Sequence, residues 1–345
     1  MRKIACIDIG TVTARLGVFD VDQKPVKLLK RNSVICDLGK GFNETGNLSQ
    51  DAIERVLSCI DTFISIIKLM EVESTCCILT AAARESHNVS PLLDGLASRG
   101  LIAQVIGGKT EGSLTFLGMC QDFPKERILA VDNGGGSTEL TVGRLAHEEG
   151  MSYRATNDAS PSEQLLPLVE RVMSVGMGCR RLADTYFPYT HGAPTAESIC
   201  AAREYAHKIF AERLDDEGIL MLEPKRMVAC GGTVTSLVAI LHELDPYDPD
   251  FVHLQKLRLE DIEYLIERLS PLTLEELTQV VGLQKKRADV MLAGALILAE
   301  LMKCTNYLEL VVSEHDLLYG LGICAAAEYH SEFVPLPWKP GLARL

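Results

Sequence analysis

A short pattern of residues occurs twice in the chain, and this duplication limits the folds that the chain can adopt. Residues 4–18 align with residues 128–142 at a constant offset of 124 positions. The matched pairs include Asp8 with Asp132, Gly10 with Gly134, Thr13 with Ser137, Leu16 with Leu140 and Val18 with Val142. Each copy has the pattern of a buried strand, a tight glycine turn and a second, alternating strand. Two related hairpins at this separation predict two related domains.

The segments between and after the hairpins alternate between helix and strand patterns. We predict helices at residues 48–69, 110–119, 162–174, 196–214, 234–242, 259–268, 288–303 and 317–329, and strands at residues 75–80, 103–106, 227–230 and 309–313. Ser49 is the expected N-cap of the first helix. The alternation indicates an α/β fold with domains at residues 1–123 and 124–314. We expect residues from about 315 to 345 to pack back on the first domain.

Length and composition favour a globular protein of the cytoplasm. The 345 residues are 47% hydrophobic and 23% charged, which is typical of soluble domains. Eleven cysteines are scattered without a CxxC pair, as expected for reduced thiols in the cytosol. Asp8 interrupts the first apolar run, which therefore does not resemble a secretory signal. The apolar stretch at residues 290–302 contains Glu300 and is too short to span a bilayer, so we expect no membrane segment.

The net charge of −13 is concentrated in the second part of the chain. Residues 1–123 contain 13 basic and 14 acidic side chains, so the remaining residues carry nearly all of the excess acid. Such a surface favours solubility and repels nucleic acids and other polyanions at long range. We therefore expect no nucleic-acid partner, and a phosphate-rich ligand would need a local site that includes a divalent cation.

The glycine-rich turns are the strongest indication of chemistry. A glycine turn lets backbone N–H groups approach phosphate oxygens, and nearby hydroxyl groups add donors. The predicted phosphate-binding residues of the two copies are Gly10, Thr11, Thr13, Gly134, Gly135, Gly136, Ser137 and Thr138. An aspartate at the end of the preceding strand, Asp8 or Asp132, is placed to hold a cation beside the phosphate. Gly231, Gly232 and Thr233 form a third turn, which fits either a phosphate or nucleotide site or an ordinary helix start.

In their order and detail these turns resemble the actin/Hsp70/sugar-kinase superfamily, and within it the exopolyphosphatase/guanosine pentaphosphate phosphohydrolase (Ppx/GppA) family. The most specific similar segments are TAAARESHN at residues 80–88, VIGGKTEG at 105–112, AVDNGGGSTEL at 130–140, SVGMGCRRL at 174–182 and GLQKKRADVMLAGALIL at 282–298. The resemblance extends from residue 4 to about residue 323. It implies a short form of the family, with two ribonuclease-H-like domains and with substrate and magnesium in the cleft between them.

The resemblance also implies roles for individual side chains. Glu111 matches the catalytic glutamate of the family, although the helix dipole alone would favour a glutamate at a helix start. Arg84 matches an arginine that binds phosphate, a task for which a bidentate guanidinium is suited; the other interpretation is an ordinary surface arginine. Arg287 and Asp289 match a family pair that an intramolecular ion pair would explain equally well.

The implied reaction is in-line attack of water on a terminal phosphoryl group of polyphosphate or of a phosphorylated guanosine nucleotide. Glu111 is the expected general base, and Asp132, with Asp8 and Glu139, is expected to hold Mg²⁺ or Mn²⁺ directly or through water. Two other functions stay open, namely a small-molecule kinase of the same superfamily and a nucleotide- or alarmone-binding sensor without turnover. A homodimer is the assembly that the family suggests.

Departures from the family pattern concern the choice of substrate. Family members usually read Asp-x-Gly-Ser-Asn-Ser in the first turn, whereas residues 11–13 of this chain read TVT. Leu318 occupies the position of an arginine in the C-terminal motif, and residues 109–110 replace more acidic residues before the catalytic glutamate. These changes predict a preference for short chains or pentaphosphate nucleotides over long polyphosphate.

Overall fold

Two β-sheets organise the protein. The computed structural model describes residues 1–147, 165–188 and 192–345, and in these residues each sheet has six strands. The first sheet consists of β1 (Lys3–Ile9), β2 (Thr13–Asp20), β3 (Lys27–Ile35), β4 (Ser74–Leu79), β5 (Ala103–Val105) and β12 (Leu342–Ala343). The second consists of β6 (Ile128–Asn133), β7 (Thr138–His147), β8 (Leu165–Val175), β9 (Arg226–Cys230), β10 (Lys256–Arg258) and β11 (Glu309–Val312). We call the parts built on these sheets the first and the second lobe. The predicted α/β class is confirmed.

The two sheets repeat the same connectivity. The order β4-β1-β2-β3 in the first sheet corresponds to β9-β6-β7-β8 in the second, with the same parallel and antiparallel pairings. Asp8 pairs with Arg15 across the first hairpin, and Asp132 pairs with Glu139 across the second. Because both pairs are separated by the same offset of 124 residues, the sequence duplication is a duplication of structure.

Helices cover the sheets and lie between them. They are α1 (Phe42–Thr45), α2 (Gln50–Leu69), α3 (Ala81–Glu85), α4 (Ser90–Ala97), α5 (Gly108–Met119), α6 (Cys179–Tyr186), α7 (Ala196–Glu217), α8 (Gly232–Leu241), α9 (Pro249–Val252), α10 (Leu259–Leu269), α11 (Leu274–Leu277), α12 (Ala288–Thr305) and α13 (Leu317–Tyr329). The N-cap predicted at Ser49 is confirmed, since its hydroxyl accepts from Ala52 N at 3.2 Å. Within the described residues, no helix is long and apolar enough to cross a membrane.

The helix predicted at residues 162–174 is wrong. Residues 165–175 form the strand β8, and residues 162–164 lie outside the described part of the chain. β8 pairs with β7 along its whole length at the edge of the second sheet, where Pro167 is tolerated because an edge strand leaves donor positions unpaired. The closely spaced apolar residues of this segment fit a helix face locally, and long-range pairing with β7 decides the outcome.

A pair of helices between the sheets positions the site. α5 packs on β6, β7 and β8, α13 packs on β1 and β2, and the two helices pack on each other. Gly118 and Gly320 lie at their crossing, where a Cβ atom on either glycine would meet backbone atoms of the other helix. The last strand, β12, pairs antiparallel with β4 of the first sheet. The domain boundary at residues 123 and 124 itself stays a prediction.

Candidate active site

The two duplicated turns meet at one cavity of about 50 Å³ between the lobes. Its lining combines residues of both hairpins, the first turn of α5 and the starts of α3, α6, α8, α12 and α13. The lining residues are Asp8, Gly10, Thr11, Val12, Thr13, Arg15, Thr80, Ala81, Glu111, Asp132, Asn133, Gly134, Gly135, Gly136, Ser137, Cys179, Gly232, Thr233, Arg287 and Leu317. Residues that are up to 309 positions apart in the sequence therefore face one small space.

The triple glycine is required by the close approach of the two turns. A Cβ atom on Gly135 would lie 2.6 Å from Val12 Cγ2, and one on Gly136 would lie 2.8 Å from Thr11 Oγ1. Any larger residue would push the turns apart, because real side chains do not approach so closely. The glycines thus let backbone of the second lobe lie directly against side chains of the first.

Each turn is closed by the same hydrogen bond. Gly10 N donates to Thr13 O at 3.0 Å, and Gly134 N donates to Ser137 O at 3.0 Å. The hydroxyl groups that follow the glycines are placed equivalently in the two lobes, one on either side of the cavity. This arrangement is suited to holding an anion between two polar turns.

Asp8, the next-to-last residue of β1, is a buried carboxylate with one free oxygen. Its Oδ2 accepts from Arg15 Nη1 at 3.0 Å, whereas its Oδ1 has no hydrogen-bond partner in the described part of the chain. Burial raises the pKa of Asp8 to about 6; Arg15 opposes this shift, and the carboxylates of Asp316 and Asp132 add to it. The free oxygen is placed for a ligand that the protein itself does not supply.

The second hairpin holds two further buried carboxylates. Asp132 Oδ2 accepts from Thr115 Oγ1 at 3.2 Å, and Glu139 Oε1 accepts from the hydroxyls of Ser137 and Ser174 at 2.7 Å each. Burial and the proximity of Asp132 raise the pKa of Glu139 to about 7. Burial likewise raises the pKa of Asp132. Close carboxylates in a dry environment resist ionisation unless a cation is present.

Glu111 lies in the first turn of α5 and is only 7% exposed. Its Oε2 accepts from Arg84 Nη1 at 2.9 Å, and the same guanidinium nitrogen donates to Ile106 O at 3.1 Å. Burial and the nearby Glu139 raise the pKa of Glu111 well above its usual value, against the opposing effect of Arg84. Arg84 is therefore not a simple surface arginine, because it orients the carboxylate that faces the cavity.

Arg287 is a half-buried cation at the start of α12. Its Nη2 donates to Thr13 Oγ1 at 3.2 Å, and no carboxylate of the described residues lies within ion-pair distance of it. Burial and the neighbouring Arg15 lower the pKa of Arg287 to about 10. Asp289 pairs with Arg180 at 2.9 Å instead, so Arg287 and Asp289 do not neutralise each other. An uncompensated guanidinium at the cavity wall favours an anionic ligand.

Comparisons with known proteins identify the family of this chain. The model of the "Ppx/GppA phosphatase family" matches residues 17–321. The chain belongs to the Ppx/GppA phosphatase family. It is 28% identical to a Mycobacterium tuberculosis protein named exopolyphosphatase 2 over 344 residues, which cover 94% of this chain and 99% of the relative. The resemblance to this family that the glycine turns indicate is confirmed.

Solved structures of the Ppx/GppA family share the fold. The Aquifex aeolicus family member is 25% identical, with a TM-score of 0.72 and coverage of 96% of this chain and 98% of its own. An exopolyphosphatase from Cytophaga hutchinsonii is 24% identical, with a TM-score of 0.78 and coverage of 96% and 99%. The predicted two-lobed, actin-like architecture with a cleft is therefore confirmed.

Most residues predicted for the Ppx/GppA site meet at the cavity. Four of them do not line it: Arg84, Thr138, Glu139 and Gly231. Arg84 and Glu139 lie behind the wall and contact residues that do line it. Thr138 donates to Met177 O at 2.5 Å, and Gly231 lies at the N-cap of α8 with φ +95°.

Sequence reasoning did not identify Arg15, Thr80 or Asn133 as lining residues. The signal for Arg15 was present in the duplication, since its position is equivalent to that of Glu139. Thr80 follows β4 of the first sheet, and Asn133 ends β6 of the second. Only the tertiary fold brings the two residues to the cavity.

The departures from the family pattern have structural explanations. Val12 packs against Gly135 across the cavity and belongs to the apolar core of the second lobe. Leu318 is buried beside Gly17 and Phe19, outside the cavity lining. The position that carries an arginine in the family pattern is therefore an apolar core position in this chain.

The donor set fits a hard divalent cation. Asp8 and Asp132 face the cavity, Asp8 has a free buried oxygen, and Glu139 lies behind. Among the described residues, three metal-ligating side chains with donor atoms within 4.8 Å of one another occur only at Asp122, His253 and His315, and none of these three lines the cavity. A cation in the cleft would thus take one or two carboxylates, water and ligand phosphate, as Mg²⁺ prefers.

Proposed function

We propose that this chain hydrolyses the terminal phosphoanhydride bond of short polyphosphates or of phosphorylated guanosine nucleotides. The observation that carries the proposal is the position of Glu111, a buried carboxylate that faces a cavity formed by two glycine turns. The printed name of the Mycobacterium tuberculosis relative, exopolyphosphatase 2, supports the polyphosphate class of substrate. The uncompensated guanidinium of Arg287 supports an anionic ligand.

The terminal phosphoryl group would lie between the two turns. Backbone N–H groups of the turns, the hydroxyls of Thr11, Thr13 and Ser137, and Arg287 would contact its oxygens and stabilise the charge that develops on them. These donors come from both lobes, so the phosphoryl group is held only when the lobes are close together. The small volume of the cavity would suit a single terminal phosphoryl group.

Glu111 would act as the general base. The oxygen of a water molecule forms a bond to the terminal phosphorus, and the bond from that phosphorus to the bridging oxygen breaks. The water proton passes to Glu111, and the leaving phosphate or nucleotide keeps the electron pair of the bridging oxygen. Arg84 fixes the orientation of Glu111 through the 2.9 Å hydrogen bond. A raised pKa suits a group that accepts a proton near neutral pH.

Asp132 and Asp8 would hold Mg²⁺ or Mn²⁺, with Glu139 acting directly or through water. A bound divalent cation supplies charge neutralisation at the phosphoryl oxygens. The raised pKa values of Asp8 and Glu139 are the electrostatic cost of assembling these carboxylates, and the cation would relieve it.

The test is phosphate release across inorganic polyphosphates of increasing length, guanosine pentaphosphate and ATP, each with and without Mg²⁺. We expect metal-dependent release from one of the first two classes. Phosphate transfer from ATP to an added sugar would indicate a kinase instead. Tight binding without release under any metal condition would indicate a sensor.

A further inference from the structure

Helix α6 supports the triple-glycine turn through its backbone. Cys179 N donates to Gly134 O and Arg180 N donates to Gly135 O, each at 2.9 Å. Gly178 lies so close to the turn that a Cβ atom on it would overlap the backbone of Gly135. The position of the turn therefore follows the position of the first turn of α6.

The same helix also contacts the first lobe. The Arg180 side chain, 3% exposed, reaches three carboxylates: its Nη2 lies 2.8 Å from Asp37 Oδ1, and its Nη1 lies 2.9 Å from Asp289 and 3.3 Å from Asp184. Asp184 and Asp289 belong to the second lobe, whereas Asp37 follows β3 of the first. We call Arg180 and these three aspartates the clasp. Of its three aspartates, only Asp37 belongs to the first lobe.

The clasp reaches both walls of the cavity. Asp37 N donates to Val12 O at 2.9 Å, so the aspartate is fixed to the first glycine turn. Asp289 is two residues after Arg287, whose guanidinium donates to Thr13. Arg180 is thus joined by short connections to the first turn, to the second turn and to the cation on the wall.

The ion pairs of the clasp suit a contact that forms and breaks as the lobes move, rather than one that only holds them together. One guanidinium meets three carboxylates, and burial raises the pKa of Asp37 and of Asp184. If the ion pair with Asp37 breaks, those with Asp184 and Asp289 remain. The lobes can therefore part without leaving Arg180 buried and unpaired. Other ion pairs also join the lobes: Arg31 lies 2.8 Å from Glu314, and Arg181 pairs with Glu85 at 2.5 Å at the surface, where such pairs contribute little.

We propose that Arg180 is a positioning residue that couples closure of the lobes to the geometry of the phosphate site. With Asp37 bound to Arg180, the Gly134–Gly136 turn, Thr13 and Arg287 are held around one space; with the contact broken, the two turns separate. The choice of ligand in the test rests on the proposed function, whereas the coupling itself does not.

The experiment compares Asp37→Asn with Glu85→Gln. Asp37 has a left-handed backbone with φ 49°, which asparagine adopts readily, so the variant keeps the fold and loses the charge. Glu85→Gln removes the exposed interlobe pair and serves as the matched control. KM and kcat for phosphate release are measured, together with thermal unfolding and the radius of gyration from small-angle X-ray scattering. Arg180→Lys is a second variant, because a compact ammonium cannot reach all three carboxylates.

We expect Asp37→Asn to raise KM by roughly 5- to 150-fold, the range of a conformational coupling, while kcat changes little. The reason is that a ligand must then shift the open protein toward the closed state. The radius of gyration without ligand should increase for Asp37→Asn and Arg180→Lys but not for Glu85→Gln. Loss of active fraction with a lower melting temperature and unchanged KM would show a structural role only and would overturn the proposal.

Failure of the proposed function and failure of the Arg180 coupling give different results. If the unaltered protein releases no phosphate from any substrate, the proposed function fails, and the scattering comparison alone decides the coupling. An equal radius of gyration for the unaltered protein, Asp37→Asn and Arg180→Lys would then exclude the clasp as a closing device.

Discussion

Arg15 and Glu139 occupy the same position of the duplicated hairpin and carry opposite charges. Arg15 lies opposite Asp8 in the register of the first hairpin, and Glu139 lies opposite Asp132 in the second. The Arg15 guanidinium donates to Asp8 at 3.0 Å, whereas Glu139 accepts from two serine hydroxyls. The first side of the cleft is therefore neutralised internally, and the second keeps an excess of negative charge.

This asymmetry predicts different roles for the two aspartates toward the metal. We expect EDTA to abolish phosphate release and Mg²⁺ or Mn²⁺ to restore it. Asp132→Asn should raise the metal concentration for half-maximal activity by roughly 10- to 100-fold, and Asp8→Asn should raise it less, because Arg15 already balances Asp8. Metal titration of both variants measures the difference, with the exposed Asp94→Asn as control. Full activity in chelator would remove Asp132 from this role.

Glu111→Gln separates a catalytic glutamate from a helix-start glutamate. Glutamine keeps the size and can still accept from Arg84, but it cannot take the proton of water. We expect the rate to fall by roughly 10²–10⁴-fold with little change in substrate affinity. Initial rates and KM measure this effect. A helix-start role alone would cost a few tenths of a kcal/mol of stability and leave the rate near normal.

The control for this variant is Glu54→Gln, the same substitution on the exposed side of α2. Circular dichroism of both proteins shows whether each is folded. A folded Glu111→Gln protein with near-native turnover contradicts the assignment, and the base would then have to be sought among Asp8, Asp132 and Glu139.

The hairpins and the helix that carries Glu111 could be predicted because their signals are local. The strand alternation and the glycines lie within about fifteen residues in each copy, and the fixed offset relates the two copies. The strand β3 was not predicted, because its residues are mostly half-exposed and give no strong pattern. β8 was assigned to a helix because its partner β7, not its own apolar spacing, determines its structure.

The electrostatics of the site could be predicted only in part. The residue types in the two turns predict a phosphate and metal site without reference to the tertiary structure. The pairing of Arg84 with Glu111 and of Arg180 with Asp37 joins residues 27 and 143 positions apart. No local pattern specifies such contacts, since they depend on how the sheets and α5 are placed in space.

Substrate length is predicted to be short. Leu318 lies in the core, so the cationic contact that the family pattern places there is missing, and the second part of the chain is acidic. A long polyanion needs several cationic contacts along the surface, and salt screens each of them. We expect turnover to be highest for short chains or guanosine pentaphosphate. Turnover that rises steadily with chain length would contradict this.

Asp122 contributes stability that depends on pH. Its Oδ2 lies 2.9 Å from His315 Nδ1 and 3.7 Å from His253 Nε2. Glu314 N donates to His253 Nδ1 at 3.2 Å, so in the neutral ring Nε2 carries the proton and faces the carboxylate. Burial favours the neutral acid, but the two histidines outweigh it and hold the pKa of Asp122 at about 2.

A lowered carboxylate pKa stabilises the fold above the unfolded-state pKa, and the gain is lost as pH falls through the folded value. Asp122→Asn should therefore lower the free energy of unfolding at pH 7 by about 1 kcal/mol, after allowance for solvent screening. The difference should shrink between pH 4 and about 2. Urea unfolding at several pH values measures it, with the exposed Asp51→Asn as control. A difference that does not change with pH would exclude this linkage.

Gly232→Ala is expected to impair activity with little loss of stability. A methyl group at position 232 would overlap the guanidinium of Arg287, and the flexible end of that side chain can move away at small energetic cost. The backbone of Gly232 has no left-handed φ, so alanine introduces no strain there. Arg287 would then leave Thr13 and the cavity wall. Because misplacement of a positioning group by about 1 Å lowers the rate on the order of 10²-fold, we expect a fall of that size in kcat/KM.

Gly176→Ala is the control, since a Cβ atom there meets open space. Phosphate release and thermal unfolding of both variants measure the effect, and normal activity in Gly232→Ala would show that the reaction does not need Arg287 in this position.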